Sequence, residues 1–406
     1  MEGFFSKKEG TSNLRPDGKT YSCVSCELYK DCKSPKMTSF GNFKKKIMNI
    51  GEAPGEVEDE RGKPFQGKTG KLLELTYRAL GIDLFEDCIN INAANCRPTD
   101  EDGNNRPPTN FEIECCRPIV QRAISEYKPK VIVLLGNSAV YSMIGHRWKK
   151  DLGGIMKWRG WAIPDQDYKA WICPTFHPSF VERSEGKVEK VIWVDDLKQA
   201  FEKAKEPFPV YVEPKIDVIE DLSVLDYIPD HSFVAIDYET TGLKPHAEGH
   251  RIICASVADS RDHAYVFMMP ETKKERMPFL DLLANPKIWK VAQNMKFEEA
   301  WSVVRLRQPV IGWAHDTMLA THVLDNRPGI TGLKFQTYVN FGIVDYASEI
   351  DYFLKPKDSS SANNINRIME VFDRQGGKNM LLQYCGLDAI YELRLYEKQS
   401  ENILPF

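Results

Sequence analysis

Three sets of residues have the types and spacing that chemistry needs. Asp237-Tyr238-Glu239 closes an apolar, strand-like run, and strand alternation would put both carboxylates on one face, as a shared cation requires. Asn294-Met295-Lys296-Phe297-Glu298 offers a third acid, and Tyr384 and Asp388 stand one helical turn apart. Carboxylates gathered in this way can hold two divalent ions roughly 3.5–4 Å apart, which activate water and stabilise a leaving oxygen. The second set is thiols: Cys23 and Cys26 form a C-x2-C pair, Cys96 lies in Asn95-Cys96-Arg97-Pro98, and Cys116 lies in Cys116-Arg117-Pro118. Four thiolates suit an iron–sulfur cluster or a structural zinc ion. Cys32 and Cys115 are spare thiols close by, and Cys32 is an alternative to Cys26. The third set is a strand end, Gly51-Glu52-Ala53-Pro54-Gly55, followed by a helix start at Gly67-Lys68-Thr69-Gly70. That is where α/β folds bind ligands and anions, although the spacing is neither a Walker A motif nor a dinucleotide fingerprint.

The elements that must position these residues fall into two halves. In the first, strand-like Lys46–Ile50, Cys88–Asn92, Val131–Gly136 and Trp171–Thr175 alternate with helix-like Lys71–Leu80, Ile119–Tyr127 and Val194–Lys205, the pattern of a parallel sheet covered by helices. Glu206-Pro207-Phe208-Pro209 breaks that pattern. The expected division is therefore a first domain over 1–205, a linker over 206–228 and a second domain over 229–406. The second domain opens with strands at Ser232–Asp237, Arg251–Val257 and His263–Met268, read as an antiparallel meander, and turns helical from about residue 296. The 406 residues are 42% apolar and 28% charged, an ordinary globular balance. Net charge is −4, but residues 1–210 carry 33 Lys+Arg against 30 Asp+Glu while the remainder carries 21 against 28. A mildly basic half beside an acidic one suits a polyanion-binding part joined to a carboxylate-rich part. No apolar run approaches the ~20 residues that span a bilayer, and Met1–Lys8 lacks the apolar stretch of a signal peptide. Eight of the ten cysteines precede residue 200, and in a chain read as cytoplasmic (bacterial host cell or nucleoid) such clustering points to metal before disulfides.

In their order, the first-half motifs resemble the family 4 uracil-DNA glycosylases, which carry an iron–sulfur cluster. The likeness spans roughly residues 20–205 and includes Gly51–Gly55, Glu58-Asp59, Gly62-Lys63-Pro64-Phe65-Gln66-Gly67, Gly70–Leu73 and His177-Pro178-Ser179-Phe180. The resemblance implies a three-layer glycosylase fold with a parallel sheet. It assigns Cys23, Cys26, Cys96 and Cys116 to a [4Fe–4S] cluster, which would pin DNA-contacting loops. A base must leave the stack to be cut from its sugar. The resemblance has Phe65 stack on that base, Asn92 read its edge, and His177 hydrogen-bond uracil O2 as charge develops. Glu52 would orient water or stabilise an oxocarbenium-like sugar, with Glu58 the second candidate, and Asn90 competes with Asn92 from the same strand. Gly67, Lys68, Thr69 and Gly70, with Ser179, would hold flanking phosphates.

The second half resembles the 3′→5′ proofreading exonuclease domain of family A DNA polymerases, a DEDD-type, ribonuclease-H-like fold with a mixed sheet, over about residues 230–396. By resemblance Asp237 bridges two Mg or Mn ions, Glu239 and Asp388 complete one site, and Tyr384 orients the attacking water. Asp316 and Lys334 would be structural or DNA-facing. One departure stands out: Glu298 occupies a place where the family has Asp, so the second ion is expected to sit off its usual position. The combination resembles the N-terminal part of certain bacteriophage DNA polymerases, and no polymerase segment is found in this chain. The expectation is a bifunctional enzyme that excises uracil and degrades DNA from single-stranded or frayed 3′ ends. A polymerase domain or subunit would be its partner. The alternative is a non-catalytic uracil- or DNA-binding module tethered to an active exonuclease, and a third reading is an accessory with both sites silent.

Overall fold

The computed structural model describes residues 21–403 apart from 149, 185, 186 and 345; Met1–Lys8 lies outside the described residues. The chain divides into two units after Val210, the short segment Tyr338–Val344 grouping with the first.

In the first unit, strands β1 (Ile47–Gly51), β2 (Cys88–Asn92), β3 (Val131–Leu135), β4 (Ile163–Asp165) and β5 (Ala170–Thr175) form one sheet in the order β2-β1-β3-β5-β4. The pairs β1/β2, β1/β3 and β3/β5 are parallel, and β4 runs antiparallel to β5. Every residue of the first three strands is buried, which requires cover on both faces and makes a three-layer domain. Leu73 and Tyr77 of helix Lys68–Ala79 meet Trp193 and Leu197 of helix Lys187–Lys203 over Ile47, Val131 and Val133. A third helix, Asn110–Tyr127, starts nine residues before the expected Ile119. Its start is set by a capping box in which Thr109 Oγ1 accepts the Glu112 N–H while Glu112 accepts the Thr109 N–H at 2.7 Å. Pro118 sits inside this helix rather than ahead of it.

The second unit has a mixed sheet of β6 (Lys215–Val218), β7 (Phe233–Thr240), β8 (Ile252–Ser260), β9 (His263–Met268), β10 (Trp289–Ala292) and β11 (Trp313–Asp316) in the order β11-β10-β7-β8-β9-β6. Only β7, β8 and β9 form the expected meander; β10, β11 and β6 join it in parallel. Part of the expected linker 206–228 is secondary structure of this unit: β6 pairs with β9, and a 3-10 helix, Leu222–Tyr227, follows, while 206–214 carry neither strand nor helix. Strand β6, Lys215-Ile216-Asp217-Val218, alternates polar and apolar residues, but over only four positions and with none of them buried, too short a pattern to tell from a loop. The 24-residue helix Gly377–Ser400 lies on the sheet, where Ala389, Ile390 and Leu393 pack against Ala235, Ala258, Ala264 and Val291. Gly386 allows the close approach, because a Cβ there would stand 2.8 Å from Ile216 of β6. No described helix is long and apolar enough to cross a membrane.

Candidate functional site

The first site lies where four parallel strands end. Glu52 follows β1, Asn92 ends β2, Ser138 follows β3 and His177 follows β5. The chain leaves β1 toward β2 on one side and later returns to β3 on the other, so the crevice opens at the switch point that α/β sheets use for ligands. A cavity of about 680 Å³ opens there, lined by Glu52, Phe65, Asn92 and His177, and by Gly67–Gly70 and Ser179. The residues expected to read a base therefore share one cavity with those expected to hold phosphate.

Local chemistry fixes each of them. A Cβ on Gly51 would stand 2.4 Å from Asn92 Oδ1 and 2.9 Å from Phe65 Cζ, so the amide and the ring edge converge above that glycine. Phe65 holds φ +58°, a left-handed conformation that costs a non-glycine residue roughly 1 kcal/mol or more. The Phe65 backbone also lies against Gly70, where a Cβ would come within 2.1 Å of the Phe65 carbonyl oxygen. Asn90 is consumed by structure: its amide donates to the Phe40 and Leu84 carbonyls and accepts from Asn49 at 2.8 Å. Glu52 accepts a hydrogen bond from Ser138 Oγ at 3.0 Å. Glu58, expected as a second catalytic carboxylate, is instead a brace, since its oxygens accept the backbone N–H groups of Gly55, Gln66 and Gly67. His177 Nδ1 accepts the Ser179 N–H at 3.2 Å. That bond assigns the proton of the neutral ring to Nε2. Burial and then the charge of Arg183 push its pKa down to about 4, so the imidazole is neutral near pH 7.

The four expected cluster cysteines gather beside this sheet. Cys23 and Cys26 bound one short helix, Cys96 lies beyond β2, and Cys116 sits on the helix Asn110–Tyr127. Cys116 is pushed up to about 12 by burial and by the neighbouring thiols of Cys26, Cys96 and Cys23. Cys96 also rises to about 12, through burial and then its neighbours Cys32 and Cys26. Its sulfur accepts the Lys36 N–H at 3.2 Å. Cys32 lies against Cys96, thiol to thiol, and its sulfur is also 3.8 Å from the Tyr29 carbonyl.

In the second unit, ligand oxygens of Asp237, Glu239 and Asp388 lie within 4.8 Å of one another. The two β7 acids share a strand face as alternation requires, and Asp388 reaches them from the long helix. Burial and then the charge of Asp388 push Asp237 up to about 7; Glu239 is raised by burial and then by Asp237. Asp388 is held by Lys334 and by the Tyr346 hydroxyl, which donates at 2.6 Å, so Lys334 is bound within the site. Tyr384 is buried one turn earlier, with the Lys334 ammonium 4.2 Å from its ring centroid. Glu298 stands outside the triad. It is 3% exposed, raised by burial and then by Asp237, and its Oε2 has no hydrogen-bond partner among the described residues. Asp316 carries structure: it caps the helix Thr317–Leu324 and accepts the N–H groups of Asn294 and Met295, fixing the turn that presents Glu298.

Some residues at these sites escaped sequence reasoning. Ser138 could have been found from its place after the apolar strand β3. Arg106 and Arg183 at the cavity carried no sequence signal, and neither did Tyr346 or Glu392.

A cavity at a sheet switch point beside clustered thiols, and a separate buried acid triad on a mixed sheet, define a two-domain enzyme of the DNA-processing class. Residues 38–204 match the Uracil DNA glycosylase superfamily, and residues 217–403 match the 3'-5' exonuclease family of the DNA polymerase A type. The Type-4 uracil-DNA glycosylase of Saccharolobus solfataricus is 38% identical over 189 residues, covering 45% of this chain and 81% of that protein. The Thermotoga maritima enzyme of the same name is 34% identical, covering 44% and 87%. The chain belongs to the type-4 uracil-DNA glycosylase family through its first unit, which is joined to a 3'-5' exonuclease domain. The DNA polymerase of Bacillus phage SP01 is 26% identical over 230 residues, 55% of this chain and 24% of that one.

Proposed function

We propose that the protein excises uracil from DNA in its first domain and degrades DNA 3′→5′ with two divalent cations in its second. The observation that carries the reading is the convergence of Glu52, Phe65, Asn92 and His177 on one cavity at the sheet switch point. In this mechanism Phe65 stacks on the flipped base, and the Asn92 amide, both donor and acceptor, pairs with its edge. The His177 Nε2–H donates to uracil O2 as the glycosidic bond breaks and its electrons move onto the base. Glu52, oriented by Ser138, faces the sugar and the attacking water. The start of helix Lys68–Ala79 holds a flanking phosphate through its N–H groups, whereas the Ser179 N–H and hydroxyl, expected to do the same, both donate to His177 Nδ1 and orient the imidazole. Mutual proximity of Cys23, Cys26, Cys96 and Cys116, with N–H groups aimed at sulfur, fits a [4Fe–4S] cluster, which would supply rigidity to the loops they carry.

In the second domain the buried acids fit cations, because such carboxylates repel one another unless neutralised. Asp237, Glu239 and Asp388 would be ligands, with Glu298 completing the second position. Bound cations would activate water and offset charge on the leaving oxygen. Lys334 and Tyr346 fix the Asp388 carboxylate, and Tyr384 orients the attacking water. The similarity to a phage polymerase supports a further proposal, that a polymerase domain or subunit works with this chain.

The test is a 5′-labelled single strand with one internal uracil, incubated with the protein in EDTA and then heated in alkali. EDTA silences cation-dependent degradation, so a single break at uracil is the expected result. An intact strand, from protein whose brown colour shows its cluster, would make the first domain a binding module. The pH profile of excision is a second expected result. Because His177 stays neutral down to about 4 and carries its Nε2–H throughout, its titration should leave no inflection in excision between about pH 5 and 8. An inflection near 6.5 that disappears in H177Q would refute the neutral-donor role.

A further inference from the structure

We propose that Glu392 is a fifth carboxylate of the cation centre, serving with Glu298 as a ligand of the second divalent ion. The inference rests on the cation-dependent exonuclease proposed above and goes beyond the four acids of that reading.

Glu392 follows Asp388 by four residues on the helix Gly377–Ser400, as Asp388 follows Tyr384, so the three side chains stack on one helix face. That face meets the acids. The charges that Glu392 feels are those of Asp237, Glu298 and Asp388, and the Gln293 backbone N–H beside β10 favours its ionised form. It is 1% exposed, and its Oε2 has no hydrogen-bond partner among the described residues. The Oε2 of Glu298 is in the same condition. A buried carboxylate oxygen without a donor is costly, and here two of them belong to acids that also face Asp237. Two buried side chains on separate elements, each with an unsatisfied oxygen and each feeling the charge of Asp237, offer oxygen ligands of the kind hard divalent cations take, although among the described residues only Asp237, Glu239 and Asp388 already lie within 4.8 Å of one another.

Charge balance points the same way. Asp237, Glu239, Glu298, Asp388 and Glu392 bring five negative charges when ionised, and Lys334 pairs with Asp388. The four that remain are balanced by two divalent cations, as a buried centre requires.

Mn2+ binding to the full-length protein without DNA, read from the electron paramagnetic resonance of free Mn2+, tests this. Wild type should bind two ions, and E392Q should weaken the weaker ion on the order of tenfold or more. Unchanged affinity in E392Q would overturn the proposal while leaving the exonuclease reading intact. If wild type bound no Mn2+, the exonuclease reading itself would fail. Should E392Q lose its thermal unfolding transition, E392D decides. A ligand drawn back by one methylene weakens the second ion, whereas unchanged Mn2+ binding in folded E392D overturns the proposal.

Discussion

D237N should lower 3′→5′ degradation of a labelled single strand by about a thousandfold, while uracil excision continues at the wild-type rate. Asp237 is the residue whose carboxylate the others surround: Glu239 and Asp388 share its ligand cluster, and Glu298 and Glu392 both feel its charge. Its Oδ2 also lies 3.6 Å from the Cys385 thiol, which ties it to the long helix. Asparagine keeps the volume and that contact but removes the charge that cations would share. Lewis-acid stabilisation of a phosphoryl transition state is worth several kcal/mol, and about 1.4 kcal/mol is a factor of ten, so losing it reaches roughly a thousandfold. E298D provides the contrast. It keeps the charge and shortens one side chain, and exonuclease activity should survive. Loss of activity in E298D to the level of D237N would show that the acid at 298 has been misassigned, and full activity in D237N would sink the cation mechanism.

The second large effect is expected at Asn92. N92A should reduce excision in EDTA by roughly a hundred- to a thousandfold, the scale of losing a positioned donor at a reacting group, with the thermal unfolding transition little changed. Asn92 ends β2 with its amide at the cavity, so truncation leaves the sheet hydrogen bonds in place. N90A should do the reverse. Its amide joins the Phe40 and Leu84 carbonyls to Asn49 inside the fold; deletion strands the Leu84 carbonyl and the Asn49 amide at a cost of about 1–3 kcal/mol each, while the Phe40 carbonyl keeps the Asn90 N–H. The pair thus separates chemistry from stability two residues apart on one strand. Wild-type excision by N92A would remove the base-reading role and favour a binding module.

The two sites differ in how they treat ionisation. In the first, His177 is held neutral and Glu52 is tied to a hydroxyl, so the cavity offers oriented donors around an uncharged base. In the second, carboxylates are crowded until burial and mutual repulsion push them up. That arrangement stores a demand for cations in the fold itself.

Much of this was legible in the linear sequence because it depends on short-range periodicity. Apolar runs such as Val131–Leu135 declare buried parallel strands, alternation puts Asp237 and Glu239 on one face, and a four-residue spacing aligns Tyr384 with Asp388. Ordered motifs from Cys23 to His177 carried the family, since each places a residue type that its chemistry requires. Tertiary structure decided the rest. Only the fold shows that Glu58 spends its oxygens on the Gly55, Gln66 and Gly67 N–H groups, that Asn90 is locked among carbonyls, and that Lys334 closes on Asp388. Strand β6 was passed over because its alternation runs for only four residues of an edge strand, none of them buried. Glu392 was invisible for a different reason: an acid on a helix looks like a solvated surface group until the opposing elements are known. Sequence determines which groups are present and their local phase; which of them lose water, and which carboxylates must face each other, is set by contacts between elements far apart in the chain.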